Sequence, residues 1–140
     1  MISTTTEEKS LAPGTHPLRS INDIITDLSK PVAARHLGHK TKGKATLEFI
    51  PWHHAVKYLD LYAPGWCYEV RSITPIVGAV ALIVRITIPC AEGIVWREAT
   101  GIEDDETSSY GDPTSNAESM ALRRAAAKFG LGLYLYNKDK

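Results

Sequence analysis

Arg123, Arg124 and Lys128 stand close together in the run from Ala121 to Phe129, and their chemistry suits phosphate. A guanidinium fork can hold two phosphate oxygens at once, while an ammonium acts as a point charge. Such contacts track a nucleic-acid backbone without reading bases. On a helix, Arg124 and Lys128 share a face one turn apart, with Arg123 flanking them. Cations on an arbitrary helix are most often only solubilising. Here, however, Leu122, Ala125, Ala126 and Phe129 have the spacing of a buried stripe, and Ala117, Ala121 and Ala125 add a small-residue edge that permits close packing. A helix seated that tightly holds its cations in fixed relation, as an anion site requires. A second basic run spans Arg35, Lys40, Lys42 and Lys44, and it could form the opposite wall of a groove. Trp52, Tyr110, Tyr134 and Tyr136 are candidates for base stacking beside such cations, although packing is the commoner role for any single aromatic.

Other chemistry finds little support. His53 and His54 are neighbours on one helix and point to different sides, which is poor geometry for one metal ion. His36 and His39 lie in a basic, glycine-bearing stretch with no cysteine or carboxylate beside them. The acidic stretch Glu103 to Glu106 could bind a divalent ion, but such loops are usually just solvated. A phosphate-binding Gly-Lys-Ser/Thr loop, a Gly-x-Ser-x-Gly elbow and a cysteine–histidine dyad are all missing. No catalytic residue, metal or cofactor is expected. The formal net charge is zero, which argues mildly against a nucleic-acid binder. Distribution outweighs the total, because the cations cluster and much of the acid is confined to Glu103 to Glu106.

The elements that must position these residues can be read from periodicity. Residues 1–19 are rich in Ser, Thr, Pro and Gly and predict a disordered tail, followed by one domain over 20–140. Ile21, Ile24, Ile25 and Leu28 recur at helical spacing until Pro31. Arg35 to Lys44 reads as a loop, Ala45 to Ile50 as a short strand, and Pro51 opens a helix to about Tyr62. Three strands follow, over 66–74, 78–88 and 94–103, with connections short enough for an antiparallel meander. Even positions, including Trp66, Tyr68, Val70, Val80, Leu82, Val84, Ile86, Ile88, Ile94 and Trp96, are almost wholly apolar and should face the core. If the second hairpin closes across Ala91, Arg85 and Arg97 oppose each other on the other face. That pairing is unfavourable unless something screens it. It fits either a solvated face with Glu69 nearby or a surface for an anionic ligand or a neighbouring subunit. Ser115 and Glu118 have capping-box spacing for the last helix, which Gly130 ends. The fold class is α+β: a three-stranded antiparallel meander packed against a C-terminal helix (β-β-β-α), preceded by a helix and a short strand.

Only Cys67 and Cys90 occur, too few for a disulfide framework, so a reducing compartment is the default. There is no secretory signal pattern and no membrane-length apolar run, so a cytoplasmic, soluble protein is expected, nucleoid-associated if prokaryotic.

The segment Asn116 to Tyr136, with Ala-Leu-Arg-Arg-Ala-Ala-Ala-Lys-Phe-Gly-Leu-Gly at its centre, resembles the signature helix of the Rad52/Rad22 single-strand annealing family, especially its DdrA-like prokaryotic and phage branch. Upstream, Glu48 to Trp66 is similar to the family's short strand, histidine-bearing helix and Gly-Trp turn. The resemblance covers about residues 25–136 and is most specific in the last third. It implies homo-oligomeric rings or curved assemblies, with single-stranded DNA in a basic groove and double-stranded DNA as a further ligand. Arg123 and Arg124 match the paired basic residues that contact the backbone, Lys128 stands beside Ala127 where some members carry a third cation, and Arg35 falls near another groove arginine. Leu133 replaces a frequent arginine, and the C-terminal region with which some members contact a recombinase has no counterpart before Lys140, so recombinase recruitment is not implied. The expected activity is ATP-independent annealing of complementary strands in double-strand break repair and recombination. The expected DNA contacts are Arg123, Arg124, Lys128, Arg35, Lys42, Lys44, Arg85 and Arg97. The rival readings are DNA-end protection without annealing, a structural oligomerisation module, and a metal-dependent nuclease built on the acidic loop.

Overall fold

A computed structural model describes residues 18–104 and 112–136. In chain order it comprises helix α1 (Ile21–Leu28), a 3-10 turn (Ala34–His36), strands β1 (Gly38–Lys42) and β2 (Ala45–Phe49), and helix α2 (Trp52–Tyr62). Strands β3 (Cys67–Ile76), β4 (Ala79–Cys90) and β5 (Gly93–Asp104), helix α3 (Pro113–Ala127) and a final 3-10 turn (Leu133–Tyr136) complete it. The β3-β4-β5 meander is antiparallel throughout, and α3 packs on one face of β4 and β5. This is the α+β arrangement expected.

The basic run over 35–44 is not a loop. It forms the 3-10 turn and then β1, paired with β2 from Gly38 opposite Phe49 to Lys42 opposite Ala45. Gly-His-Lys-Thr-Lys offers no apolar alternation, so β1 exists because β2 supplies a ladder of backbone partners.

Strand β4 alternates as read: Leu82, Val84, Ile86, Ile88 and Cys90 are buried. The parity assigned to β5 is corrected, whereas on β3 Tyr68 and Val70 lie on the inward side as read. The second hairpin turns through two residues, Ala91 and Glu92, so that Cys90 opposes Gly93 and even positions of β4 face odd positions of β5. Ala99 and Gly101 therefore lie inward, while Ile94 and Trp96 lie outward, 71% and 49% exposed. Arg85 opposes Glu98, not Arg97, and their side chains meet at 2.7 Å. The like-charge pair becomes an opposite-charge pair. On β3, a bulge between Val70 and Ser72 moves the inward set from Tyr68 and Val70 to Ile73. These residues point to the α3 side but remain exposed, because α3 lies over β4 and β5.

Helix α3 begins earlier than the capping-box spacing suggested. Asp112 is the N-cap, its carboxylate accepts the Ser115 N–H at 2.7 Å, and Pro113 occupies the first turn without wasting a donor. Glu118 is instead used by the Tyr68 hydroxyl, which donates to it at 3.0 Å. Asp112→Ala should cost about 1 kcal/mol of stability by orphaning the Ser115 N–H, read as a lower midpoint in urea unfolding with an unchanged slope.

The expected stripe is observed: Leu122, Ala125, Ala126 and Phe129 are buried, as is the edge Ala117, Ala121 and Ala125. All but Ala117 pack with Ile24 and Leu28 of α1 and Leu59 of α2 in one core, and Ala117 packs with Val80 and Leu82 of β4. After Lys128, Gly130 (φ 111) turns the chain beneath α1, where a Cβ would lie 2.2 Å from Ser29 Oγ. Most of the N-terminal tail, residues 1–17, lies outside the described residues. Arg19 belongs to the fold: its guanidinium donates to Tyr62 O at 2.8 Å and to Asp27 at 2.6 Å, and its carbonyl accepts the Ala91 N–H. Lys30 and Arg19 together hold the Asp27 carboxyl below its ordinary range.

Candidate nucleic-acid interface

The β1–β2 hairpin and α3 form the two walls of a cleft. Lys40, Glu48 and Phe49 line the first wall, Met120, Arg123 and Arg124 the second, and Ile50, Leu131 and Leu135 lie between. The cleft continues along Thr100, Ala127, Lys128 and Leu133, with Arg124 and Tyr136 shared by both parts. The anchored face of α3 fixes the direction of its cations, because Leu122, Ala125 and Ala126 cannot rotate out of the core.

Arg123 is half-buried, with its guanidinium 5.3 Å from the centre of the Phe49 ring. Burial pulls its pKa below the usual arginine range; Tyr136 opposes that and Arg124 adds to it. Arg124 is exposed and donates to Thr100 O at 3.0 Å. Lys128 reaches back to Glu98 O at 2.6 Å. Arg97 lies on the same side of the sheet, donates to Lys128 O and places its guanidinium 4.7 Å from the centre of the Phe129 ring. These four cations are met by carbonyl oxygens and aromatic faces. Among the described residues, no carboxylate forms a salt bridge with any of them. A cation with neutral partners only retains its field, so the cleft is a place where an anion gains.

The other candidates are distributed differently. Lys40 lines the cleft and sits 6.0 Å above Phe49. Lys44 is exposed at the hairpin tip, the side chain of Lys42 lies outside what is described, and Arg35 is exposed on the 3-10 turn without lining the cleft. Arg85 is on the opposite face of the sheet. It stacks 3.7 Å above the Trp96 ring and is neutralised by Glu98, which Arg71 also approaches at 3.8 Å. The structure thus brings together Arg123, Arg124, Lys128 and Arg97, and separates Arg85 from them.

Among the aromatics, Tyr136 lines the cleft, while the Tyr134 hydroxyl accepts the Val32 N–H at 3.0 Å. Trp52 is exposed at the start of α2, outside the cleft, and Tyr110 lies outside the described residues. Phe49 is the cleft position that reading along the chain missed. It faces Arg123 only because β1 and β2 fold back together, and no periodicity marks that contact. The acidic stretch ends β5 with Glu103 and Asp104, and Asp105 and Glu106 lie outside the described residues. Among the described residues, no group of three His, Cys, Asp or Glu could hold a metal ion, and no helix is long and apolar enough to cross a membrane.

The chain is 35% identical over 136 residues to the Arabidopsis thaliana "DNA repair RAD52-like protein 1, mitochondrial", an alignment covering 96% of this chain and 77% of that protein. It is 40% identical over 124 residues to "DNA repair RAD52-like protein 2, chloroplastic" from the same plant, covering 86% of this chain and 62% of that one. Residues 20–140, which hold every described element, match the Rad52/22 family double-strand break repair protein, and the chain belongs to that family.

Proposed function

We propose that this chain binds single-stranded DNA along the cleft between the β1–β2 hairpin and α3, and anneals complementary strands without nucleotide hydrolysis. The observation that carries the reading is the set Arg123, Arg124, Lys128 and Arg97, held rigidly on one side of the sheet without a carboxylate partner among the described residues. Cations so placed reduce repulsion along a phosphate chain and pre-order it, while base pairing supplies the free energy of annealing. Within this reading, Tyr136 and Phe49 border the backbone, and the bases face outward to an incoming strand. The assembly is a homo-oligomeric ring or arc, and the exposed Tyr68, Val70 and Ile73 beside α3 are apolar surface that a neighbouring subunit would cover. Double-stranded DNA is a second ligand within the same proposal. A cytoplasmic, nucleoid-associated location belongs to the same proposal if the source is prokaryotic; the two plant relatives are named for mitochondria and chloroplasts.

The test is a strand-annealing assay with two complementary oligonucleotides and no ATP. Duplex should form faster with the protein than without it, at substoichiometric DNA and falling with added salt. A second reading is favoured by one observation: Arg124 and Lys128 already donate to carbonyls of β5 and so could serve the fold alone. That reading, a structural oligomerisation module, predicts oligomers in native mass spectrometry that take up no oligonucleotide. Binding without faster duplex formation would leave end protection as the activity.

A further inference from the structure

The root of the β1–β2 hairpin gathers three imidazoles that the cleft does not use. His36 ends the 3-10 turn leading into β1, and His53 and His54 lie in the first turn of α2, just after β2. Although neighbours on a helix were expected to diverge, the His53 and His54 ring centres lie 4.3 Å apart. His36 stacks on His54 at 4.7 Å. The Tyr58 hydroxyl, which accepts the Ala33 N–H at 3.4 Å, fixes His36 through its Nδ1 at 2.6 Å. The three rings are therefore held together by contacts from both ends of the hairpin.

The electrostatic surroundings of this trio are one-sided. The groups acting on His54 are His53 and Lys57 from α2 and His36 from the 3-10 turn, and Arg35 is exposed next to His36. The group that faces His36 is the Tyr58 hydroxyl, not a carboxylate. Among the described residues no carboxylate acts on His54. Asp60 instead accepts from the Trp66 indole at 2.6 Å, and Glu48 lies 3.4 Å from His39. Burial first, then the neighbouring His53, His36 and Lys57, hold the His54 imidazole below its ordinary range. The positive end of the α2 dipole acts in the same direction. What this cluster lacks is a negative charge.

We infer that the His36–His53–His54 trio is a second contact for the phosphate chain of a bound strand, one that takes up protons as the strand arrives. The inference rests on the reading of the cleft as the DNA site: Phe49, which lines it, pairs with Gly38 at the hairpin root, and these two lie four residues before His53 and two residues after His36 respectively. A phosphate at the trio supplies the missing negative charge, raises the basicity of the rings, and gives a ring that takes up a proton a second N–H donor. By linkage, affinity must then rise as pH falls through the imidazole range, by up to about tenfold per pH unit for each proton taken up.

The experiment uses the full chain and a fluorescent oligothymidine, titrated at fixed ionic strength from about pH 8 to about pH 6, where phosphodiesters do not titrate and unperturbed histidine does. Calorimetry in two buffers of different ionisation enthalpy counts the protons directly. The expected result is affinity rising as pH falls, with net proton uptake. His36→Gln with His54→Gln should make that slope shallower, leaving what His53 and the histidines outside the trio contribute. If this pair disturbs folding, His53→Gln, on an exposed ring, should still reduce the slope. Arg123→Ala with Arg124→Ala should lower affinity at every pH and leave the slope in place. A wild-type slope of zero or of opposite sign overturns the inference, as does an unchanged slope in the histidine variants. Absence of binding at about pH 8, where unperturbed imidazoles are neutral, overturns the cleft reading itself.

Discussion

Exchanging Arg123 and Arg124 together for alanine should weaken single-strand binding by about ten- to a hundredfold, the loss of about 1.4 to 2.7 kcal/mol expected when charge-assisted contacts to phosphate disappear. The dependence of log affinity on log salt should become shallower by about 1.4, two phosphates at about 0.7 each for a single strand. The two residues contribute differently. Arg124 is exposed, and its guanidinium donates to Thr100 O, a neutral partner that leaves its charge uncompensated. Arg123 is half-buried against Phe49 and has lost solvation that no described carboxylate restores. An anion entering the cleft restores it, so Arg123 gains more from binding than an exposed arginine would. Anisotropy titrations at several salt concentrations measure both effects, and thermal melts of the same variant show whether the fold survives. Unchanged affinity together with an unchanged salt slope would show that these cations serve the protein alone, as the oligomerisation reading holds. Binding that falls with an unchanged slope would place the loss in distorted packing around Phe49, not in lost phosphate contacts.

Helix α3 was readable as both scaffold and wall of the cleft because its two periods coincide. Leu122, Ala125, Ala126 and Phe129 mark the buried side, and the unburied positions of the last turns, Arg123, Arg124 and Lys128, are all basic. Strand β4 was readable for the same reason, since its alternation is unbroken from Leu82 to Ile88. The phase of β5 was not. Its odd and even positions both contain apolar residues, and only the length of the Ala91-Glu92 turn decides which set meets α3. One residue of difference there moved Arg97 from the outer face to the cleft side and gave Arg85 a carboxylate partner. β1 was illegible because Gly38 to Lys42 contains no apolar side chain, and its strand character comes wholly from β2. The basic wall it carries was recognised, but its shape was not. The imidazole trio is the extreme case. Its members are seventeen and eighteen residues apart along the chain, and the hairpin between them folds them together.

Gly101→Ala should destabilise the protein by about 3 kcal/mol or more, at the upper end of what overpacking costs. Gly101 is buried on the inward face of β5, where α3 crosses by its Ala117 and Ala121 edge. A Cβ built there would stand 2.0 Å from Ala117 O and 2.7 Å from Ala121 N. Those are backbone atoms of a helix, so no side-chain rotation can relieve the contact; α3 must move as a body. The opposing term is small. Alanine is favoured over glycine in a strand by about 0.5 to 1 kcal/mol through lost freedom in the unfolded chain, and Gly101 needs no left-handed backbone that alanine would resent. Displacing α3 also pulls Arg124 from Thr100 O and Lys128 from Glu98 O, and lifts Leu122 and Phe129 within the core. Stability and DNA affinity should therefore fall together in this variant, whereas the Arg123 and Arg124 exchange should reduce affinity far more than stability. Urea unfolding beside anisotropy separates the two patterns. If Gly101→Ala unfolded within about 0.5 kcal/mol of the wild type, the range of an ordinary surface substitution, α3 would not rest on β5 as described. The rigid seat that holds the cations in place would then be lost with it.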